Sequence, residues 1–296
     1  MRKEFIFRVN GTAHHLGLRT WLMGIINVTP DSFYDGGAYF DPVQAVDRGL
    51  EMAAAGADII DVGGESTKPG SDPVPADEER RRIVPVVAGL RKRTNALISI
   101  DTSKLEVAEA ALDAGADIIN DINAFSLDPR ILDLAARKDA GFILMHMKGI
   151  PKTMQARPYY DNVIQEIRAF LADKIEIARA YGLPEDNIVI DPGIGFGKRL
   201  EDNLVLLNGL DAFAGLGRPI LVGVSRKSFI GKILDAPPQE RLEGTIAAAI
   251  VSVVRGAHIL RVHDIDAVKR AVLVAEAILS ARPDDHAGTE KTGYAH

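Results

Sequence analysis

The chain has 296 residues, of which 47% are hydrophobic and 26% charged, with a formal net charge of −6. This composition supports a globular core, and the acidic balance argues against a general nucleic-acid binder while leaving local basic pockets open. Cysteine is absent, which excludes disulfides, thiolate metal sites and cysteine nucleophiles together and suits a reducing compartment.

The opening stretch, MRKEFIFRVN, is charged and lacks the apolar core of a signal peptide. The longest apolar run, 246–254, is too short to span a bilayer and is closed by Arg255. A soluble cytoplasmic protein, with no membrane and no nucleic-acid partner, is therefore expected. Residues 5–20 alternate in polarity around Asn10-Gly11, a dipeptide suited to a tight hairpin turn.

From Trp21 onward, short apolar runs alternate with helix-length amphipathic segments. Strands are expected over 22–27, 59–62, 97–101, 118–121, 142–146, 188–191, 220–224 and 259–262. Helical patterns lie at 43–55, 76–93, 105–114, 130–139, 162–181, 200–213 and 242–255, and a last one at 265–281 closes the series. An open doubly wound sheet would alternate too, but eight near-equal units favour an α/β fold closed as a (β/α)8 barrel, preceded by a short N-terminal hairpin. An internal echo supports this: Gly56-Ala-Asp-Ile-Ile recurs from Gly115, and as Gly-Ala-His-Ile-Leu from Gly256. Each glycine suits the left-handed cap of a helix that runs directly into the next strand. No low-complexity linker interrupts the pattern, so one domain is expected over 1–281, followed by a small polar tail, 282–296, expected to be disordered.

In such barrels chemistry gathers at the carboxyl ends of the strands. The expected ends carry Asn27, Asp61, Asp101, Asn120, Asp121, His146, Asp191, Lys227, Arg261 and His263. Asp61, Asp121 and His146 read equally well as functional groups or as helix caps and rim ion pairs. Asp191, Lys227 and Arg261 interrupt apolar or glycine-rich context and are read as functional. Two long loops, 27–37 and 63–71, are rich in turn residues and could close over a substrate. A third, 225–229, offers a hydroxyl at a helix start, where backbone amides attract an anion. Arg226 is read as structural.

The stretch NIVIDPGIGFGK, 187–198, invites a phosphate-loop reading that fails on spacing. Pro192 stands where a GxxxxGK[ST] loop needs its first glycine, and Arg199 where it needs Ser or Thr; Lys198 occupies the last glycine of GxGxxG. What survives is a carboxylate, Asp191, at a strand end before a glycine-rich backbone, with Lys198 read as an ordinary loop lysine.

The motifs MGIINVTPDSFYDGG, DVGGEST, SIDTSK, INDI, IDPGIGFGK, VGVSRKSF and RVHD occur in that order. The chain thereby resembles the dihydropteroate synthases over roughly 22–281. The resemblance implies a TIM barrel that joins 6-hydroxymethyl-7,8-dihydropterin diphosphate to p-aminobenzoate with release of diphosphate. It implies pterin contacts from Asp101, Asn120, Asp191, Lys227 and Arg261, with Asp191 accepting the guanidine-like edge in bidentate fashion. Diphosphate falls to Asn27, Thr67, Arg261 and His263, and Asn27 is the ligand of a Mg²⁺ cofactor. The p-aminobenzoate side falls to Phe33, Thr67, Lys68, Pro69, Phe196, Lys227 and Ser228. Lys227, Asp101, Arg261 and His263 are the implied catalytic set, and the resemblance further implies a homodimer and a sulfonamide target. Lys68 departs from the arginine common in the family and lacks its bidentate fork.

Three other readings are weighed. A pterin-binding corrinoid methyltransferase would keep an anchor like Asp191 but need not keep SRKSF or RVHD. A Schiff-base aldolase would use Lys227, yet the loops suggest no carbonyl substrate. A catalytically silent pterin or phosphate binder would be expected to lose Asn27, Lys227 or His263, all of which are present.

Overall fold

The computed structural model describes residues 2–29, 41–66, 70–156 and 158–281. Strands β1 (Phe5–Val9) and β2 (Thr12–Leu16) pair antiparallel across the Asn10-Gly11 turn. The left-handed φ of Asn10 (50°) and Gly11 (72°) is what a tight primed turn requires.

The remaining strands are β3 (Trp21–Asn27), β4 (Ile59–Gly63), β5 (Leu97–Asp101), β6 (Ile118–Asp121), β7 (Gly141–Met145), β8 (Ile188–Asp191), β9 (Leu221–Gly223) and β10 (Ile259–Val262). They are parallel neighbours in the order β8-β7-β6-β5-β4-β3-β10-β9. A bridge from Ile190 to Ile220 and the hydrogen bond from Ile190 N–H to the Pro219 carbonyl (3.0 Å) join the two ends into a (β/α)8 barrel. Around it lie α1 (Pro42–Ala55), α2 (Ala76–Arg91), α3 (Leu105–Asp113), α4 (Arg130–Arg137), α5 (Val163–Ala180), α6 (Leu200–Asn208), α7 (Ser228–Leu234), α8 (Leu242–Val254) and α9 (Ile265–Ser280). The echoed glycines, Gly56, Gly115 and Gly256, all have φ near +100° and end helices directly ahead of strands.

Two differences from the expected elements have simple causes. The 200–213 pattern stops as an α-helix at Asn208 and continues as a 3₁₀ segment, Leu210–Leu216, so its apolar side chains stay inward while the helix itself breaks at Gly209. The seven-residue α7 was legible only as a helix start at Ser228, because it is too short to show a period.

The barrel interior explains where the site lies. Side chains alternate between the two faces of a strand, and each strand sends one inward residue to a common layer. These are Met23, Ile59, Leu97, Ile118, Ile143, Val189, Leu221 and Ile259. Phe7, Val9 and Leu16 of the hairpin pack into the same cluster, so the hairpin plugs the amino-terminal mouth. Gly141 makes room for this plug: a Cβ there would lie 2.6 Å from Phe7 Cζ. Two residues further along, the inward positions become Asp61, Ser99, Asn120, Asp191 and Arg261. An apolar floor thus carries a polar layer above it.

Candidate functional site

The polar layer and the strand ends above it hold three carboxylates and three cations: Asp61, Asp101 and Asp191 with Lys198, Lys227 and Arg261. Arg261, on β10, donates from Nε to Asp61 Oδ2 (2.6 Å) and from Nη2 to Asp101 Oδ2 (2.8 Å). Asp61 is fully buried, and its Oδ2 also accepts from Asn120 Nδ2 at 3.2 Å. Asp101 and Asn120 stand side by side in the β5–β6 register. Burial pushes the Asp101 carboxyl up to about 7, against the opposing pull of Arg261.

Asp191 ends β8 and is 6% exposed. Its Oδ1 accepts from Gly193 N–H (2.7 Å), a contact that the left-handed φ of Gly193 (70°) makes possible. Burial raises its carboxyl above the ordinary range, with the Gly193 amide, Lys227, Lys198 and Arg261 pulling the other way. Lys227 sits just ahead of α7, donates to the Ile194 carbonyl, and holds its ammonium 4.2 Å from the Phe196 ring centre. Burial lowers it to about 8, opposed by Asp191. Asp191, Phe196 and Lys227 therefore share one wall.

Along the same rim, His263 Nδ1 lies 2.8 Å from Ser225 Oγ, which brings the β9–α7 and β10–α9 loops together. Asn27 is half-buried at the end of β3, beside Gly63 in the register. Ser228 is exposed as the first residue of α7. Phe33, Thr67, Lys68 and Pro69 lie outside the described residues. The stems of their second loop are nevertheless pinned. Glu65 Oε2 accepts from Val74 N–H (2.9 Å) and from Lys104 Nζ (2.5 Å), Lys104 also bonds buried Glu79, and Arg82 donates to the Gly64 carbonyl (2.8 Å).

Residues with two readings now separate. Asp121 is a turn cap, accepting from Ser103 Oγ, Asn123 N–H and Phe125 N–H. Arg226 is structural: its φ is +52° and it forks onto Asp264 at 3.0 and 2.9 Å. Asp61 belongs to the site, because it holds Arg261 from 200 residues away in sequence. Lys198 is not an ordinary loop lysine; it is 3% exposed, with Nζ 3.0 Å from His146 Nδ1. The only sequence signal for it was its place directly after three alternating glycines.

A family model described as pterin binding enzyme matches residues 23–263. The chain is 46% identical over 271 residues to the dihydropteroate synthase of Synechocystis sp., covering 91% of this chain and 94% of that protein. It is 46% identical over 261 residues to the dihydropteroate synthase of Escherichia coli K12, covering 88% and 92%. Among solved structures, the Yersinia pestis dihydropteroate synthase with a sulfonamide drug complex superposes with a TM-score of 0.88 at 42% identity, over 94% of this chain and all of that one. The Xanthomonas albilineans dihydropteroate synthase with 4-aminobenzoic acid gives 0.86 at 42% identity, over 93% and 99%. The same enzyme in complex with 7,8-dihydropteroate gives 0.83 at 39% identity, over 93% and 100%.

Proposed function

The chain belongs to the dihydropteroate synthases, within the pterin-binding enzyme family, and from that premise we propose how its own residues divide the work. The enzyme is a transferase that condenses 6-hydroxymethyl-7,8-dihydropterin diphosphate with p-aminobenzoate to give 7,8-dihydropteroate and diphosphate. The observation that carries the division of labour is Asp191, a buried carboxylate in the polar layer at the end of β8 that shares a wall with Lys227 and Phe196.

A pterin ring offers N3–H and a 2-amino group along one edge, a donor pair that a carboxylate accepts in bidentate fashion. Asp191 takes that edge. Asp101 and Asn120 bond the rest of the ring, and Lys227 donates to its carbonyl or ring nitrogen. Arg261 stacks a planar guanidinium on the ring and meets phosphate at its outer edge. His263, Asn27 and Thr67 receive the diphosphate. Phe196, the stem of Lys227, Ser228, Phe33, Thr67, Lys68 and Pro69 receive p-aminobenzoate.

In the reaction the C–O bond to diphosphate breaks and its electron pair leaves with diphosphate. The dihydropterin delocalises the methylene cation in an S_N1-like course. The neutral aniline nitrogen then forms the C–N bond and loses its proton to water, so no strong base is needed. The protein holds the ring and places charge where it develops. Among the described residues no cluster of three His, Cys, Asp or Glu side chains could cage a metal. A lone amide oxygen at Asn27 fits a Mg²⁺ carried mainly by phosphate oxygens and water. When bound, that ion neutralises the leaving group.

The assay is diphosphate release from the pterin diphosphate with p-aminobenzoate and Mg²⁺; no release would overturn the assignment. Asp191→Ala should abolish pterin binding in calorimetry, and retained affinity would sink the anchor. A sulfonamide, which mimics p-aminobenzoate, should compete. A homodimer through the outer helices is supported by exposed Val251, Val254, Leu273, Val274 and Ile278 on α8 and α9, checked by sedimentation. No helix among the described residues is long and apolar enough to cross a membrane, and we place the enzyme in the cytoplasm, to be checked by fractionation.

A further inference from the structure

Lys198 is one of the most deeply buried cations in the protein, and none of the steps above uses it. It is 3% exposed, and its three ammonium hydrogens meet three neutral acceptors. These are the Phe196 carbonyl at 2.9 Å, His146 Nδ1 at 3.0 Å and the His146 carbonyl at 3.4 Å. Accepting at Nδ1 leaves the His146 proton on Nε2. Neutral acceptors satisfy the hydrogen bonds of a buried ammonium but leave its charge uncompensated. Burial drives the ammonium well below its ordinary range, with Lys227 and Lys148 pushing the same way, and two carboxylates, Asp191 and Asp202, act through space to hold the charge. Asp202 is already committed to Arg199, which forks onto it at 2.8 Å from both Nε and Nη2. Asp191 is the remaining counter-charge.

The backbone around Lys198 points the same way. A Cβ on Gly193 would lie 3.4 Å from Lys198 Nζ, so the ammonium sits directly against the turn whose amide holds the Asp191 carboxylate. The loop 192–197 is gripped from the β7–α5 side as well. His146 N–H donates to the Asp191 carbonyl (3.0 Å), Tyr160 Oη to the Gly197 carbonyl (2.9 Å) and Gln155 Nε2 to the Gly195 carbonyl (2.6 Å). Lys198 is the charged member of this set.

We propose that Lys198 is a positioning residue of the pterin site: its buried ammonium fixes the 192–197 loop and supplies the interior positive charge that keeps Asp191 ionised for the pterin edge. This rests on the reading of Asp191 as the pterin anchor. Removing the cation leaves Asp191 facing Lys227 from the start of α7 and Arg261 from β10, with Asp101 on β5 beyond them. Lys198 itself faces His146 and Lys148 from the β7 side and Asp202 from α6. None of these groups is substituted in the variants compared, and a merely structural lysine would not alter how binding depends on pH.

The test is calorimetric titration of 6-hydroxymethylpterin into the unaltered enzyme, Lys198→Met and Lys198→Gln across a pH series. Both variants should move the acid midpoint of pterin binding upward by about one pH unit. On the acid limb that is about tenfold weaker binding at a given pH. Lys198→Gln keeps two hydrogen-bond donors for the loop, so the comparison survives if Lys198→Met fails to fold. Weakening by the same factor at every pH, or unchanged binding, would overturn the inference while leaving the Asp191 reading intact. Unimpaired pterin binding by Asp191→Ala would overturn both.

Discussion

The guanidinium of Arg261 is shared between two carboxylates, Asp61 at 2.6 Å and Asp101 at 2.8 Å. Once Asp101 turns to the pterin, as proposed, Asp61 alone fixes the plane and height of the cation. Asp61→Asn keeps the shape of the side chain and removes its charge. It should lower kcat/KM roughly a hundredfold, the order of loss that a small misplacement of a catalytic group causes. Steady-state kinetics within twofold of the unaltered enzyme would show that the anchor is dispensable. The same layer sets a pH window. Burial lifts Asp101 to about 7 and lowers Lys227 to about 8. If both act charged, kcat/KM for the pterin diphosphate rises as pH climbs through about 7 and falls beyond about 8. Asp101→Asn should erase the rising limb, and a profile flat across that window would exclude the pair. Asp101, Asp191 and Arg261 were legible as a group because strand ends and motif order mark them. The Asp61–Arg261 contact was not, since it spans 200 residues and no local pattern encodes it. Nor was Lys198, because depth beneath a loop is a tertiary property.

At the scale of elements, the same two-residue period produced both floor and site. The step from Ile59 to Asp61, from Ile118 to Asn120, from Val189 to Asp191 or from Ile259 to Arg261 moves one layer up the barrel. Five of the expected strands end where the structure ends them, at Asn27, Asp101, Asp121, Asp191 and Val262, without any knowledge of closure. The hairpin β1–β2 was legible from Asn10-Gly11, but its use as a plug was not. The plug depends on Phe7 meeting the bare α-carbon of Gly141, which lies far along the chain. The glycine loop after β8 makes a sharper case. Gly193 has φ +70°, and a Cβ there would lie 1.9 Å from the His146 carbonyl oxygen. Gly193→Ala should therefore destabilise by about 2 kcal/mol or more, from left-handed strain together with the clash. Thermal unfolding and pterin titration check this together. A melting temperature unchanged within error would mean that the loop relaxes freely. Gly11→Ala, where a Cβ meets nothing within 4 Å, should lose only the cost of the left-handed backbone and leave pterin binding as it was.

For the whole molecule, alternation of strand and helix predicted a barrel, but the closing seam rests on an interaction that no repeat announces. His258 lies at that seam, 2% exposed. Its Nδ1 accepts from Ile220 N–H at 3.0 Å, its Nε2 donates to the Lys3 carbonyl at 2.9 Å, and its own N–H reaches the Ile220 carbonyl at 2.8 Å. One ring thus ties β10, the β8–β9 closure and the N-terminal segment together, and it does so only while neutral. Burial lowers it from an ordinary 6.5 to about 4. The unfolded chain takes up a proton below about 6.5, whereas the folded chain resists until about 4. The stabilisation from His258 is therefore full above the unfolded value and is lost as pH falls between the two, by about 1.4 kcal/mol per pH unit. Asp101, raised to about 7 by burial, runs the other way and favours the folded state on acidification. The total slope mixes the two, so the informative quantity is a difference. His258→Gln should cost most near neutrality, and the gap to the unaltered protein should narrow steadily as pH falls from about 6.5 towards about 4. Denaturant unfolding at a series of pH values measures that gap. A constant gap would mean that the ring is not held neutral at the seam, and that the barrel closes without help from its charge state.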